Sequence, residues 1–204
     1  MLEVKMINYN GDIITASENS NKDLLWACRG AGGRNFGVIS TMTFKLPEKI
    51  KMATLINIDY IKIETEEMIK IFEIWIEFFK ELDRRMNLKM AIYNSEEKGK
   101  GIKLTGLFYG KKEEADRILN PFKNVFRKGN FDLDYMKVLE AYRIIQDSHP
   151  PYEKYKSSGR FVYSDLGRNE MKKIIKLIET RADGAIYTAV SLYGLGGAVM
   201  DTDK

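Results

Sequence analysis

Four glycines within eight residues, Gly30, Gly32, Gly33 and Gly37, form the stretch of this 204-residue chain best suited to hold a ligand. Glycine has no Cβ and tolerates positive φ, so such a run lets main-chain N–H groups approach a phosphate-bearing ligand, or a crossing segment, closely. Two phosphate motifs fail on spacing. A dinucleotide fingerprint needs G-x-G-x-x-G after a strand and opening a helix; here Asn35 breaks the spacing and the order is helix, loop, strand. A P-loop needs Lys followed by Ser or Thr after its last glycine, and this chain has Val38-Ile39. Read from the residues alone, the loop either carries main-chain donors to a ligand or lets the helix cross the strand at close range.

Other chemistry-bearing side chains are sparse. Cys28, the single cysteine, excludes an internal disulfide and sits among apolar residues, which predicts a buried, inert thiol. One histidine, His149 in Asp147-Ser148-His149-Pro150-Pro151, cannot build a His-based metal centre and reads as a loop residue. The 33 basic and 29 acidic residues nearly balance at a formal charge of +4, which gives no footprint for nucleic acid. The cluster Lys98, Lys100, Lys103, Lys111 and Lys112 reads as a solvated hairpin and helix start. The first residues lack the apolar core of a signal peptide, and no run approaches the ~18 apolar residues of a membrane span. With the single thiol, this points to the cytoplasm.

The elements that must position the loop follow from periodicity. Leu2 to Asn8 and Asp12 to Thr15 alternate around the turn signal Asn10-Gly11, which predicts a hairpin. Leu24, Leu25, Ala27 and Cys28 predict a short helix capped by Ser20, Asn21 or Asp23, and Val38 to Phe44 alternates as a strand closed by Pro47. Ala53 to Ile63 is a strand with Leu55, Asn57, Asp59 and Ile61 opposite Thr54, Ile56, Ile58 and Tyr60. Thr65 then caps a helix whose stripe Met68, Ile71, Phe72, Trp75, Phe78, Phe79 and Leu82 reads as core. Strands at Leu88 to Tyr93 and Ile102 to Gly110, a helix from Lys111 to Phe122 and a strand at Phe131 to Met136 complete a β-α-β-β-α-β unit, an antiparallel sheet with both helices on one face. A helix at Val138 to Gln146, an irregular loop from Ser148 to Gly159, a brief strand at Phe161 to Ser164, a helix from Arg168 to Arg181 and a strand at Ala185 to Tyr193 follow.

The run Asp23-Leu24-Leu25-Trp26-Ala27, Arg29-Gly30-Ala31-Gly32-Gly33 and Asn35-Phe36-Gly37-Val38-Ile39-Ser40 resembles the motif that ends the flavin domain of the berberine-bridge-enzyme-like FAD-linked oxidases. Val4 to Thr15 resembles that family's preceding hairpin. Leu104 to Gly110, Lys156-Ser157-Ser158 and Leu192 to Ala198 resemble its substrate domain. The resemblance implies an α+β chain: residues 1–48 as the last strands and helix of an FAD-binding domain, and residues 49–204 as a substrate-binding antiparallel sheet backed by helices. The flavin-binding half that precedes the motif in the family, with its flavin-attaching histidine and cysteine, is not in this sequence, and Cys28 and His149 match neither position.

What the resemblance implies for function is an oxidase that uses FAD to oxidise an alcohol-type or amine-type carbon of a sugar or secondary metabolite, with dioxygen as acceptor. It implies cofactor contact by Gly32, Gly33, Asn35, Phe36, Gly37 and Val38, the main-chain N–H groups of Gly33, Asn35, Gly37 and Val38 foremost, with Phe36 packing. Tyr109, Tyr163, Tyr187 and Tyr193 are the tyrosines that could face the flavin; no catalytic base and no metal ligand is assigned. The expected partners are a small-molecule substrate and an N-terminal flavin-domain chain, without which this chain should be inactive. The rival reading is a non-enzymatic α+β binding or oligomerisation module derived from such an oxidase.

Overall fold

The computed structural model describes residues 1–125, 129–147, 154–164 and 166–194. They form two units, Met1–Lys49 and Ile50–Lys204.

In the first unit the alternating residues form β1 (Glu3–Ile7) and β2 (Ile13–Ser17), joined as a hairpin around Gly11 at φ 87°. The Asn8 carboxamide oxygen accepts from the main-chain N–H groups of Asn10 and Asp12, both at 2.9 Å, an Asx turn that pins the register. Helix α1 (Lys22–Cys28) and β3 (Val38–Thr43) follow, and the sheet order is β2-β1-β3 with every pair antiparallel. Asn21, one of the expected caps, stands at the N-cap of α1 in the left-handed region at φ 49°, but its side chain makes no cap bond and donates to the Thr15 carbonyl. Val4, Met6, Ala16 and Leu25 are the buried core of this unit, which is small.

The second unit contains β4 (Met52–Ile61), α2 (Thr65–Lys80), β5 (Met86–Ser95), β6 (Gly99–Phe108), α3 (Lys112–Ile118), α4 (Asn120–Val125), β7 (Gly129–Lys137), α5 (Val138–Asp147), α6 (Arg168–Lys176) and β8 (Tyr187–Tyr193). Its sheet runs β7-β4-β6-β5-β8, antiparallel throughout, so the β-α-β-β-α-β reading holds and β8 extends it at one edge. Period two along β4 sends Ile56, Ile58 and Tyr60 into the core with Leu104, Met90 and Ile92 of the neighbouring strands. The α2 stripe, Met68, Ile71, Phe72 and Trp75, covers them, and Leu119, Phe122, Met171 and Ile175 from the later helical segments close the layer. Burying each such side chain contributes roughly 1.5–3 kcal/mol. The Tyr60 hydroxyl donates to the Phe122 carbonyl at 2.5 Å inside this layer.

The structure corrects several local expectations. Glu64, not Thr65, is the N-cap of α2, in a reciprocal capping box with Glu67. The single helix expected over Lys111 to Phe122 breaks at Leu119, where Pro121 lacks the N–H an uninterrupted helix requires but is tolerated in the first turn of α4. Phe161 to Ser164 has no ladder partner, so it is not a strand, and α6 ends at Lys176 rather than Arg181. Helix α5 lies on the opposite sheet face from the other helices, its Ala141 packed on Leu55 and Leu107.

Candidate functional site

The glycine loop begins where α1 stops. Ala31 still donates to the Ala27 carbonyl at 2.9 Å, after which Gly32, Arg34 and Gly37 take positive φ of 84°, 68° and 144°. Left-handed residues alternating with ordinary ones turn successive N–H groups to one concave side, the geometry of an anion-binding nest. Among the described residues, the main-chain N–H groups of Gly32, Gly33, Arg34, Asn35 and Phe36 find no acceptor. The Asn35 amide closes the loop by donating to the Ala31 carbonyl at 2.5 Å. A Cβ at Gly37 would stand 2.3 Å from the Ile7 carbonyl oxygen, so only glycine fits where the loop enters β3; at Gly33 nothing lies within 4 Å of a Cβ. Phe36, expected to pack, is 42% exposed, and Val38 is 69% exposed.

In the second unit, the sheet face away from the helical layer carries polar and aromatic side chains. Register places Asp132, Asn57, Thr105, Lys89 and Tyr193 in one row, a residue from each strand. One row further along, the buried Asp59 carboxylate accepts from the Tyr93 hydroxyl at 2.8 Å and from the Lys98 ammonium at 3.1 Å, which ties β4 to the β5–β6 hairpin. Tyr187 stacks on Tyr93 with centroids 6.0 Å apart and planes 19° apart. At the other end, next to α5, the hydroxyls of Tyr109 and Tyr142 share a hydrogen bond of 2.6 Å.

Burial holds the Tyr60 and Tyr93 phenols well above the usual tyrosine range, Asp59 adding to the effect at Tyr93. Burial, then the bond to Tyr142, pushes Tyr109 up to about 12. In all three the fold favours the neutral phenol, so the unfolded chain loses its protons first. The stability they contribute is complete below the ordinary pKa of 10.0 and is lost as pH rises from there towards about 12. Urea midpoints should therefore fall steeply over that range, and Tyr60→Phe should flatten the fall.

No family model matches the chain. The uncharacterized FAD-linked oxidoreductase YvdP of Bacillus subtilis is 32% identical over 151 residues, 74% of this chain and 32% of that protein. The chain belongs with the FAD-linked oxidoreductases. It spans about a third of the length of the curated relatives it matches. Its fold is similar to that of solved structures: BBE-like 1 of Physcomitrella patens superposes with a TM-score of 0.73 at 19% identity, covering 97% of this chain and 44% of that one. The xylooligosaccharide oxidase of Myceliophthora thermophila C1, solved with xylobiose, gives a TM-score of 0.69 at 22% identity over 88% and 39% of the two chains.

The structure places Gly32, Gly33, Asn35, Phe36 and Gly37 in one exposed loop and Val38 at the start of β3. Of the four tyrosines, Tyr187 and Tyr193 lie on β8 on the open sheet face, and Tyr109 follows β6; Tyr163 is 93% exposed on no strand. Cys28 is half-buried rather than buried. His149 and residues 195–204 lie outside the described residues. Among the described residues no cluster of His, Cys, Asp and Glu suits a metal ion, and no helix is long and apolar enough to cross a membrane. Sequence reasoning missed the Asp59–Tyr93–Lys98 group and the Asn57 row, and it placed Lys98 in a solvated cluster. The available signal was the polar pair Asn57 and Asp59 at alternate positions of an otherwise apolar strand.

Proposed function

We propose that this chain supplies the glycine-loop contacts to FAD and the substrate-binding sheet of an oxidase acting on an alcohol-type or amine-type carbon, with dioxygen as acceptor. The observation that carries the reading is the run of five main-chain N–H groups, Gly32 to Phe36, without acceptors among the described residues in a loop closed by Asn35. Such donors fit a pyrophosphate, which offers several oxygens and needs no side-chain bulk around it. The loop residues therefore fit the cofactor: Gly32, Gly33 and Asn35 would donate to it, Gly37 would keep the backbone close to β1, and the exposed Phe36 and Val38 would offer it apolar surface. FAD supplies the two-electron chemistry, hydride removal from the substrate carbon, that no side chain of this chain performs.

The matched stretch covers 32% of the Bacillus relative, which supports further flavin contacts from a flavin-binding part outside this sequence. The testing experiment mixes the chain with the separately expressed flavin-binding part of the Bacillus relative and follows FAD absorbance and hydrogen peroxide formation with sugar and amine substrates. FAD retained by the mixture, and reduced by a substrate, is the expected result. No FAD retention in the mixture would overturn the oxidase reading in favour of a binding module.

A further inference from the structure

We infer that two copies of this chain exchange a strand, the segment 154–164 of each pairing with the open edge of β7 of the other. The inference concerns the second unit by itself and does not depend on the oxidase reading.

The segment is exposed at every residue and pairs with no strand among the described residues. Its side chains nonetheless alternate as a strand's do. Lys154, Lys156 and Arg160 fall on one side of an extended chain, and Tyr155, Phe161 and Tyr163 on the other. No acidic residue interrupts it between Lys154 and Ser164. Tyr163 is 93% exposed and Phe161 75%, with the two rings 6.3 Å apart. Neighbouring aromatic side chains left in water, rimmed by cations, mark a surface that another protein covers.

Charge selects the surface that covers it. The two sheets end in the edge strands β2, β3, β7 and β8, and of these only β7 carries acidic side chains. Its Asp132 and Asp134 are exposed and, among the described residues, make no ion pair or side-chain hydrogen bond; Lys154 and Lys156 make none either. Alternation along β7 puts both carboxylates on one face and Phe131, Leu133 and Tyr135 on the other.

Both patterns have period two. An antiparallel register that sets the cations beside Asp132 and Asp134 therefore also sets the aromatic side chains beside Phe131, Leu133 and Tyr135, and a slip of one residue loses both matches together. The carboxylates repel a second β7 but accept a basic strand, so the edge is protected against its own kind and open to the segment. Strand addition also gives ladder partners to the alternate N–H and C=O groups that an edge leaves bare. Within one chain the segment stays unpaired although it belongs to the same unit as β7. A second copy offers the same edge and closes the exchange by two-fold symmetry, so that each dimer holds the contact twice. Six aromatic rings at about 150–250 Å² each bring such an interface near the standard ~1,600 Å².

The test is sedimentation equilibrium of the 204-residue chain and of two charge-reversed variants, one with Asp132→Lys and Asp134→Lys, the other with Lys154→Glu and Lys156→Glu. The parent should be a dimer at micromolar concentration, weakened by added salt. Each variant alone sets like charge against like and should raise the dissociation constant at least about tenfold. Mixed in equal amounts, the two variants should form a heterodimer as tight as the parent, because both contacts again join opposite charges. All four substituted side chains are exposed, so circular dichroism of each variant should match the parent. A monomeric parent overturns the inference. So does a dimer that both variants leave intact, which would lie at another surface, and so does a mixture that associates no better than either variant alone.

Discussion

A Gly37→Val chain is expected to lose the β1–β3 pairing that anchors the glycine loop. The main chain at position 37 has φ 144°, which a β-branched residue does not adopt, and a Cβ there would lie 2.3 Å from the Ile7 carbonyl oxygen. The obstacle is backbone in the central strand, so a rotamer change cannot relieve it. Strained φ and forced overpacking each cost about 1–3 kcal/mol. A core of four buried side chains has little reserve against that sum. Hydrogen exchange should show the β1 and β3 amides unprotected while those of β4 and β6 keep their protection. Gly30→Ala is the matched control, because nothing lies within 4 Å of its Cβ and its φ is not positive; it should exchange like the parent. Equal protection in both variants would remove the steric account of position 37.

Phe72→Ala should lower the unfolding free energy of the second unit by about 3–5 kcal/mol. Its ring is wholly buried on α2 in the layer formed with β4, β5 and β6, and helices on both sides limit how far the site can collapse. The lost transfer energy and the remaining cavity both count against the fold. Leu139→Ala on α5, where the side chain is 73% exposed, should change stability by less than about 0.5 kcal/mol. Urea denaturation monitored by tryptophan fluorescence separates the two outcomes. A Phe72→Ala loss under about 1 kcal/mol would mean that the layer repacks freely, contrary to interior density.

Much of the second unit was legible because its side chains obey clean periods. The α2 stripe and the alternation of β4 each identify an element, its type and its buried face from local residues alone. Errors fell where local pattern and tertiary partner part company. Phe161 to Ser164 has strand-like residues but, among the described residues, no strand pairs with it, and a strand without a ladder is only an extended chain. Glu64 displaced Thr65 as the cap because the capping box pairs it with Glu67.

The glycine loop shows the same division. By itself the sequence determined that positions 30–37 form a glycine-rich link between a helix and a strand, that neither standard phosphate motif applies, and that the run resembles the motif of the FAD-linked oxidases. Those conclusions need only residue identity and order. Tertiary structure decided which glycine is indispensable, since Gly37 alone in the loop is pressed against the backbone of a strand thirty residues earlier. It also decided which N–H groups stand free. On the sheet, it brought Asn57, Thr105, Lys89 and Tyr193 into one row from four strands, and Asp59, Tyr93 and Lys98 into one hydrogen-bonded group. Cross-strand register makes those groups, and register is a property of paired strands that no single segment contains.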